Sequence, residues 1–261
     1  MVNNIQSKIS KVNGIDVHYY VKGEGAPLII VHGGSEGAQA WKGNIALLAK
    51  QYRVFVPDLP GFGLSSQVLD SYKVPDMVDF IDQYSKNLGL DSFYLMGHSF
   101  GGGVAAHYAL KHPQKVRKLI LVSSLCLGKE IAWWIRIVSL PGVCLAMGRA
   151  LLACYKGIKR VAKFLGPWDV VQPVTHASVQ IGAEIAGFTQ QTIVLLGQLP
   201  TLLMPTLVMW GEKDPVVPAS QAYMAATLIP DCRVRVFAKC GHSVYRERLA
   251  DFSSEINGFL G

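Results

Sequence analysis

Charge is scarce in this 261-residue chain: Asp, Glu, Lys and Arg make up 16%, against 50% hydrophobic residues. That much apolar material can offset the entropy of ordering the chain, which excludes intrinsic disorder. Cysteine is sparse as well. Cys126, Cys144, Cys154, Cys232 and Cys240 form no C-x-x-C pair, and five thiols are too few for a disulfide scaffold. Their odd number suits a reducing compartment, and their spacings match no metal site. The 26 Gly and 13 Pro follow no period, which removes collagen-like and low-complexity architectures. Long uncharged apolar runs are missing too. The most apolar stretch, 131–155, is interrupted by Arg136, Pro141 and Arg149, so no membrane span is expected there. The opening Met1-Val2-Asn3-Asn4-Ile5-Gln6 lacks a basic segment followed by an apolar one, so no signal peptide is expected. These absences predict a cytoplasmic protein.

What charge there is leans positive, with a formal net of +7. Its distribution decides the reading. Residues 125–200 hold seven basic residues (Lys129, Arg136, Arg149, Lys156, Lys159, Arg160, Lys163) and three acids (Glu130, Asp169, Glu184). So +4 of the excess lies in one middle segment, and no nucleic-acid-binding motif accompanies it. A solvated basic face is expected rather than a nucleic-acid partner. Within 151–165, basic residues interleave with apolar ones at helical spacing, the pattern of a peripheral, surface-seeking helix. An ordinary cap helix with one wet face is the preferred alternative.

Hydrophobic patterning predicts an α/β fold. Ile9–Val12 and Ile15–Tyr20 are β-prone runs joined by Asn13-Gly14, a strong signal for a tight hairpin turn with φ > 0 at both positions. A continuous apolar run at 28–31, as expected of a strand buried on both faces, is followed by similar runs at 53–56, 93–96, 119–122, 206–210 and 234–237, interrupted only by Arg53, Thr206 and Arg235. Stretches of helical length separate them: 38–51, 75–88, 100–112, 220–229 and 244–260. Such alternation predicts a mostly parallel sheet covered on both faces, with the opening hairpin as an antiparallel edge. One gap breaks it. More than eighty residues between Val122 and Thr206 carry no convincing strand, and they leave from a strand's carboxyl end, where α/β sheets bind ligands. Residues 125–199 are therefore expected to form a helical cap, on a core made of 1–124 and 200–261.

The chemistry-bearing residues cluster at strand ends. Gly97-His98-Ser99-Phe100-Gly101 follows the 93–96 strand and opens a helix, which is G-x-S-x-G in its confirming strand–turn–helix context. So tight a turn requires small residues two before and two after the serine, and it exposes the hydroxyl beside a helix N-terminus. A serine hydroxyl is a weak nucleophile and needs a base, which needs an orienting acid. Asp214, in Gly211-Glu212-Lys213-Asp214-Pro215, follows one strand, and His242, after Cys240-Gly241, follows the next. All three emerge at the same edge of the sheet, with Glu212 the reserve acid. Acyl chemistry also needs fixed donors for an oxyanion, each worth roughly 2.7–4 kcal/mol. The Phe100 N–H and a backbone N–H from the His32-Gly33-Gly34 loop, Gly34 foremost, are the candidates.

On these motifs, with Asp58-Leu59-Pro60-Gly61-Phe62-Gly63 and Ser65 after the second buried strand, the chain resembles the α/β-hydrolase superfamily, in its cap-bearing form. The likeness extends over nearly all of the sequence outside 125–199. It implies a serine hydrolase acting through Ser99, His242 and Asp214 on a small hydrophobic acyl substrate such as a carboxylic ester, with neither cofactor nor metal. Ser99 in place of an elbow Asp separates it from epoxide hydrolases and haloalkane dehalogenases. The His32-Gly33…Gly37-Ala38…Trp41 spacing is similar to that of meta-cleavage C–C bond hydrolases, which act on ring-opened dienones. Those enzymes usually carry Asn before the serine and Trp after the histidine, where this chain has His98 and Ser243. A non-catalytic, receptor-like binding module is the reading from another class. His98, Trp133, Trp134 and Trp168 are the candidates to line the substrate pocket. Oligomeric state leaves no signal in the sequence.

Overall fold

The computed structural model describes residues 4–66, 72–133, 176–185 and 190–261. Eight strands form one sheet: β1 (Gln6–Val12), β2 (Ile15–Lys22), β3 (Ala26–Val31), β4 (Tyr52–Pro57), β5 (Phe93–His98), β6 (Val116–Val122), β7 (Thr206–Gly211) and β8 (Cys232–Phe237). Their spatial order is β1-β2-β4-β3-β5-β6-β7-β8. β2 runs antiparallel to both β1 and β4, and every other neighbouring pair is parallel. The turn from β1 to β2 has φ of 48° at Asn13 and 81° at Gly14, the left-handed pair that Asn-Gly supplies.

The apolar runs have a direct physical cause. Successive side chains of a strand point to opposite faces, and here both faces are covered. Ile29, Val31, Leu95, Leu119, Leu121 and Val208 belong to the core on one face. Leu28, Ile30, Met96, Ile120, Val122 and Met209 belong to the core on the other. The two edge strands are the exceptions. Most of β1 is exposed, including Ile9 at 70%, and β8, expected to be buried on both faces, exposes Arg233 and Arg235 and buries only Phe237, because an edge strand has one face and one side open to water.

Among the described residues the helices are α1 (Lys42–Leu48), α2 (Val74–Asn87), α3 (Phe100–Lys111), α4 (His176–Ile185), α5 (Ser220–Leu228), α6 (Val244–Glu247) and α7 (Leu249–Leu260). Two segments expected as single helices are broken. Ala38–Trp41 is a 3-10 turn leading into α1, and the closing helix divides at Arg248, with φ −129° and ψ 47°. At that second break α6 stays beside the His242 loop, while α7 packs Phe252, Ile256, Phe259 and Leu260 against the sheet.

Of the segment expected as a cap, the structure describes 125–133, α4 and 190–199. Its base is tied by Gln191, wholly buried, whose Oε1 accepts the Cys126 N–H at 2.8 Å while Nε2 donates to the Glu130 carbonyl at 2.9 Å. α4 buries Ala177, Ile181 and Ile185, spaced four apart and so on one helical stripe. Glu184 on α4 accepts the Val74 N–H at the start of α2 at 3.0 Å. The basic stretch 151–165, Trp134 and Trp168 lie outside the described residues.

Candidate active site

The loops after β3, β5, β7 and β8 meet at one rim of the sheet. At the centre is the turn from β5 to α3. A methyl group built on Gly97 would lie 2.1 Å from the Gly101 carbonyl oxygen, and one on Gly101 would lie 2.3 Å from the Val31 carbonyl oxygen. Main chain on all sides therefore dictates glycine at both positions. Ser99 between them adopts φ 53° and ψ −118°, a conformation costing a non-glycine residue roughly 1–3 kcal/mol. Its backbone is held there by neighbours: Ser99 N–H donates to the Val122 carbonyl at 2.9 Å, and its own carbonyl accepts from Gly102, Gly103 and Leu125.

Beside it lies the His32-Gly33-Gly34 loop. A methyl group on Gly33 would come within 3.4 Å of Ser99 Cβ, and one on Gly34 within 3.5 Å of Phe100 Cβ. Phe100 opens α3, and first-turn N–H groups have no acceptor inside their own helix. Gly34 and Phe100, the two expected oxyanion donors, are thus neighbours. A methyl group on Gly34 would also meet Ile181 Cγ2 at 3.7 Å, so α4 places an aliphatic side chain over this loop.

Two buried polar networks hold the loop. His32 Nε2 accepts the Leu59 N–H at 2.9 Å, joining it to the turn after β4. In that turn Asp58 accepts the N–H groups of Ala38 (2.6 Å) and Leu64 (3.0 Å) and pairs with His18 Nδ1 at 2.7 Å. Burial alone would raise the Asp58 pKa, but the His18 hydrogen bond, with these N–H groups, holds it below the ordinary carboxylate value. The second network centres on Glu36. Its Oε1 accepts the Gly33 N–H and a proton from His98 Nδ1, both at 2.9 Å, and its Oε2 accepts the Tyr245 hydroxyl.

From the far side of the sheet come Asp214 and His242. Asp214 Oδ1 accepts the N–H groups of Val216 (2.8 Å) and Val217 (3.0 Å), and Oδ2 accepts from His242 Nδ1 at 2.8 Å. Burial raises the Asp214 pKa, yet the hydrogen bond and charge of His242 outweigh it and keep the carboxyl below its usual value. With Nδ1–H committed to Asp214, Nε2 is the His242 nitrogen left to take a proton. Burial, assisted by the positive field of His98, lowers the His242 pKa below 6.5 against the opposing pull of Asp214 and Glu36. The imidazole rings of His242 and His98 lie 4.9 Å apart, so His242 sits next to the residue that precedes Ser99.

Ser99, His242, Asp214, Gly34 and Phe100 therefore gather at one rim. Of the expected pocket residues, His98 and Trp133 fall among the described ones. His98 is 3% exposed with both ring nitrogens engaged, because a buried carboxylate draws it inward. Trp133 stands 66% exposed at the end of a described segment, turned to solvent where Ile131 is turned to the core. Sequence reasoning passed over Glu36 and Tyr245. Glu36 stands two residues past the His32-Gly33-Gly34 loop, but its side-chain partners His98 and Tyr245 are 62 and 209 residues away, and no spacing rule connects them. Among the described residues no cluster of three or more His, Cys, Asp or Glu could hold a metal ion. No helix among them is long and apolar enough to cross a membrane.

Residues 26–141 and 152–249 match the family model described as alpha/beta hydrolase fold. The chain belongs to that family, and it is a hydrolase of the α/β fold. Among its relatives is the dihydrolipoyllysine-residue acetyltransferase component of the acetoin cleaving system of Cupriavidus necator, 30% identical over 97% of this chain and 69% of that protein. The 2-hydroxymuconate semialdehyde hydrolase of Pseudomonas sp. (strain CF600) is 30% identical over 95% of this chain and 91% of its own length. A solved structure of the meta-cleavage product hydrolase of Pseudomonas fluorescens IP01 superposes with a TM-score of 0.77. It is 25% identical and covers 98% of this chain and 97% of that one.

Proposed function

We propose that the protein is a serine hydrolase that cleaves a hydrophobic carboxylic ester or related acyl compound through Ser99, His242 and Asp214. The observation that carries this reading is the strained Ser99 turn, whose His98 ring lies 4.9 Å from a His242 ring that holds its Nδ1 2.8 Å from a buried Asp214 carboxylate. In the reaction, Ser99 Oγ attacks the carbonyl carbon while His242 Nε2 takes the hydroxyl proton. The oxyanion is received by the Gly34 and Phe100 N–H groups. As the intermediate collapses, the bond to the leaving oxygen breaks and His242 passes its proton to the departing alcohol. Water, deprotonated in turn by His242, then attacks the acyl-enzyme and releases the carboxylic acid and Ser99. Side chains and water supply each step. Ile181, above the glycine loop, favours apolar acyl groups at this site.

The test is hydrolysis of p-nitrophenyl butyrate together with labelling by a fluorophosphonate. Wild type should turn over the ester saturably and take up the label at Ser99. Ser99→Ala should lose the label and at least ~10⁴-fold in kcat/KM. An unlabelled wild type without turnover would remove the reading.

A second reading, hydrolysis of a C–C bond in a ring-opened dienone, draws support from the similarity to the 2-hydroxymuconate semialdehyde hydrolase. The same assay with such a dienone in place of the ester separates the two. Faster turnover of the dienone, by comparison of kcat/KM, would make it the better description.

A further inference from the structure

We propose that Glu36 and His98 form a buried ion pair that positions the catalytic loops and keeps the His242 imidazole in its neutral, proton-accepting form. This rests on the serine-hydrolase reading and assigns to two residues outside the triad a role in its chemistry. They are positioning residues.

The protons can be counted from hydrogen-bond partners alone. His98 Nδ1 is 2.9 Å from Glu36 Oε1, and His98 Nε2 is 3.0 Å from the His242 carbonyl oxygen. A carboxylate and a carbonyl can only accept, so both ring nitrogens must donate, and a ring donating from both is an imidazolium. Its counter-charge is in contact. Glu36 also accepts from the Gly33 N–H and the Tyr245 hydroxyl, leaving its charge well satisfied. Glu36, His98 and Tyr245 are 5%, 3% and 0% exposed, so water screens little of this. Trp41, fully buried, stacks on Tyr245 with ring centroids 4.1 Å apart and closes the network from beneath.

The connections explain why such a pair would matter. Gly33 is the neighbour of the expected oxyanion donor Gly34. His98 immediately precedes Ser99, and Tyr245 follows His242 by three residues. One carboxylate thus ties together the three loops that must hold register for proton transfer. The His98 charge also bears on His242 directly, since the two rings lie 4.9 Å apart and Glu36 sits behind His98. Other groups facing the pair are Asp214, bonded to the opposite side of His242, and Arg246, whose guanidinium lies over the Tyr245 ring. Glu247 accepts the Gly241 N–H just before His242. The His98 cation is nearer to His242 than its counter-anion, so its repulsion outweighs the attraction of Glu36 and disfavours a second proton on His242.

Two measurements test this. In ¹³C,¹⁵N-labelled wild type, both ring nitrogens of His98, assigned through backbone-to-ring correlations, should carry protons at pH 7. In pH profiles of kcat/KM with p-nitrophenyl butyrate, His98→Asn should move the acid limb up by about one unit. It should also lower kcat on the order of 10²-fold with little change in KM, because the loop register is relaxed. Glu36→Gln, which retains the shape, should move the limb in the same direction by less, since it removes both charges together. A singly protonated His98 in the wild type overturns the proposal even if neither variant folds. So does an acid limb that stays in place while activity and stability fall together, as a merely structural role requires. Failure of the hydrolase reading would show separately, as absent turnover and an unlabelled Ser99 in the wild type.

Discussion

At the scale of single residues, the site is an arrangement of protons held by burial and partners. Asp214 fixes which nitrogen of His242 bears hydrogen, and its own two oxygens are fully committed to three N–H groups. Asp214→Asn retains size but offers an amide N–H that cannot accept from Nδ1, which turns the imidazole to the wrong tautomer. The expected outcome is a fall in kcat of about 10⁴-fold on the p-nitrophenyl ester, with the protein still folded by circular dichroism. The pH profile follows from the depressed His242 pKa. Burial penalises the imidazolium, so the neutral base persists below the ordinary histidine value of 6.5. Activity should therefore stay level as pH falls through 6.5 and decline only beneath it, which kcat/KM measured from pH 8 to 5 will check.

Residue identity at the elbow was fully legible in the sequence, because a tight strand–turn–helix leaves few choices. Three side chains that draw close only in the fold were not. Glu36 drew no reading of its own, His98 read as a pocket residue, and Tyr245 lay unremarked in the expected closing helix. What joins them is a polar cluster excluded from water, and its members come from the loop after β3, from β5 and from α6.

At the scale of elements, glycines and breaks matter more than helix or strand propensity. Gly97→Ala would press a methyl group to 2.1 Å from backbone that has nowhere to move, since Gly101 is itself wedged against Val31. Destabilisation of at least ~3 kcal/mol is expected, read from urea unfolding or from loss of folded protein on expression. Gly14→Ala is the contrast. Nothing lies within 4 Å of the added methyl, so only the φ of +81° opposes it. The cost should be about 1 kcal/mol by the same titration, confined to the β1–β2 hairpin.

The inner parallel strands were predictable because burial on both faces leaves a nearly unbroken apolar signature. The breaks near Trp41 and at Arg248 were not. Both segments keep helical composition throughout, and the interruptions let Trp41 and Tyr245 stack while α7 lies along the sheet. Propensity yields to packing at such points. Of the residues expected as a cap, α4 sets Ile181 against Gly34 of the glycine loop and Ala177 against Gly61 of the turn after β4.

At the scale of the whole molecule, stability should depend on pH in two stages, and the sign can be worked from the shifted groups. His107, His112 and His242 have pKa values lowered by burial, so the unfolded chain binds protons that the folded chain resists. Their contribution is complete above the unfolded value of 6.5 and shrinks as pH falls below it. Asp58, Asp82 and Asp214 are also lowered, Asp82 to about 2, each against the upward effect of burial. Hydrogen bonds from His18 to Asp58, Lys115 to Asp82 and His242 to Asp214 are the largest single cause of each lowering. Their contribution is present above the unfolded aspartate value of 3.8 and is lost as pH falls through the folded one. Urea midpoints measured from pH 8 to 3 should therefore be flat at first, dip gently below 6.5 and drop steeply near 4. A midpoint that rises on acidification would reverse the assignment.

The sequence by itself determined the alternation of buried strands and helices, the Asn13-Gly14 hairpin and the glycine-framed Ser99 turn. Each is a local consequence of side-chain period or backbone sterics, acting over a few neighbouring residues. Only the tertiary structure decided that Glu36 would sit beneath His98 and Tyr245, that His98 would face inward, and that α4 would lie over Gly34. Those choices depend on which distant groups are desolvated together, and a buried charge takes its partner from whatever the folded sheet brings within hydrogen-bonding reach.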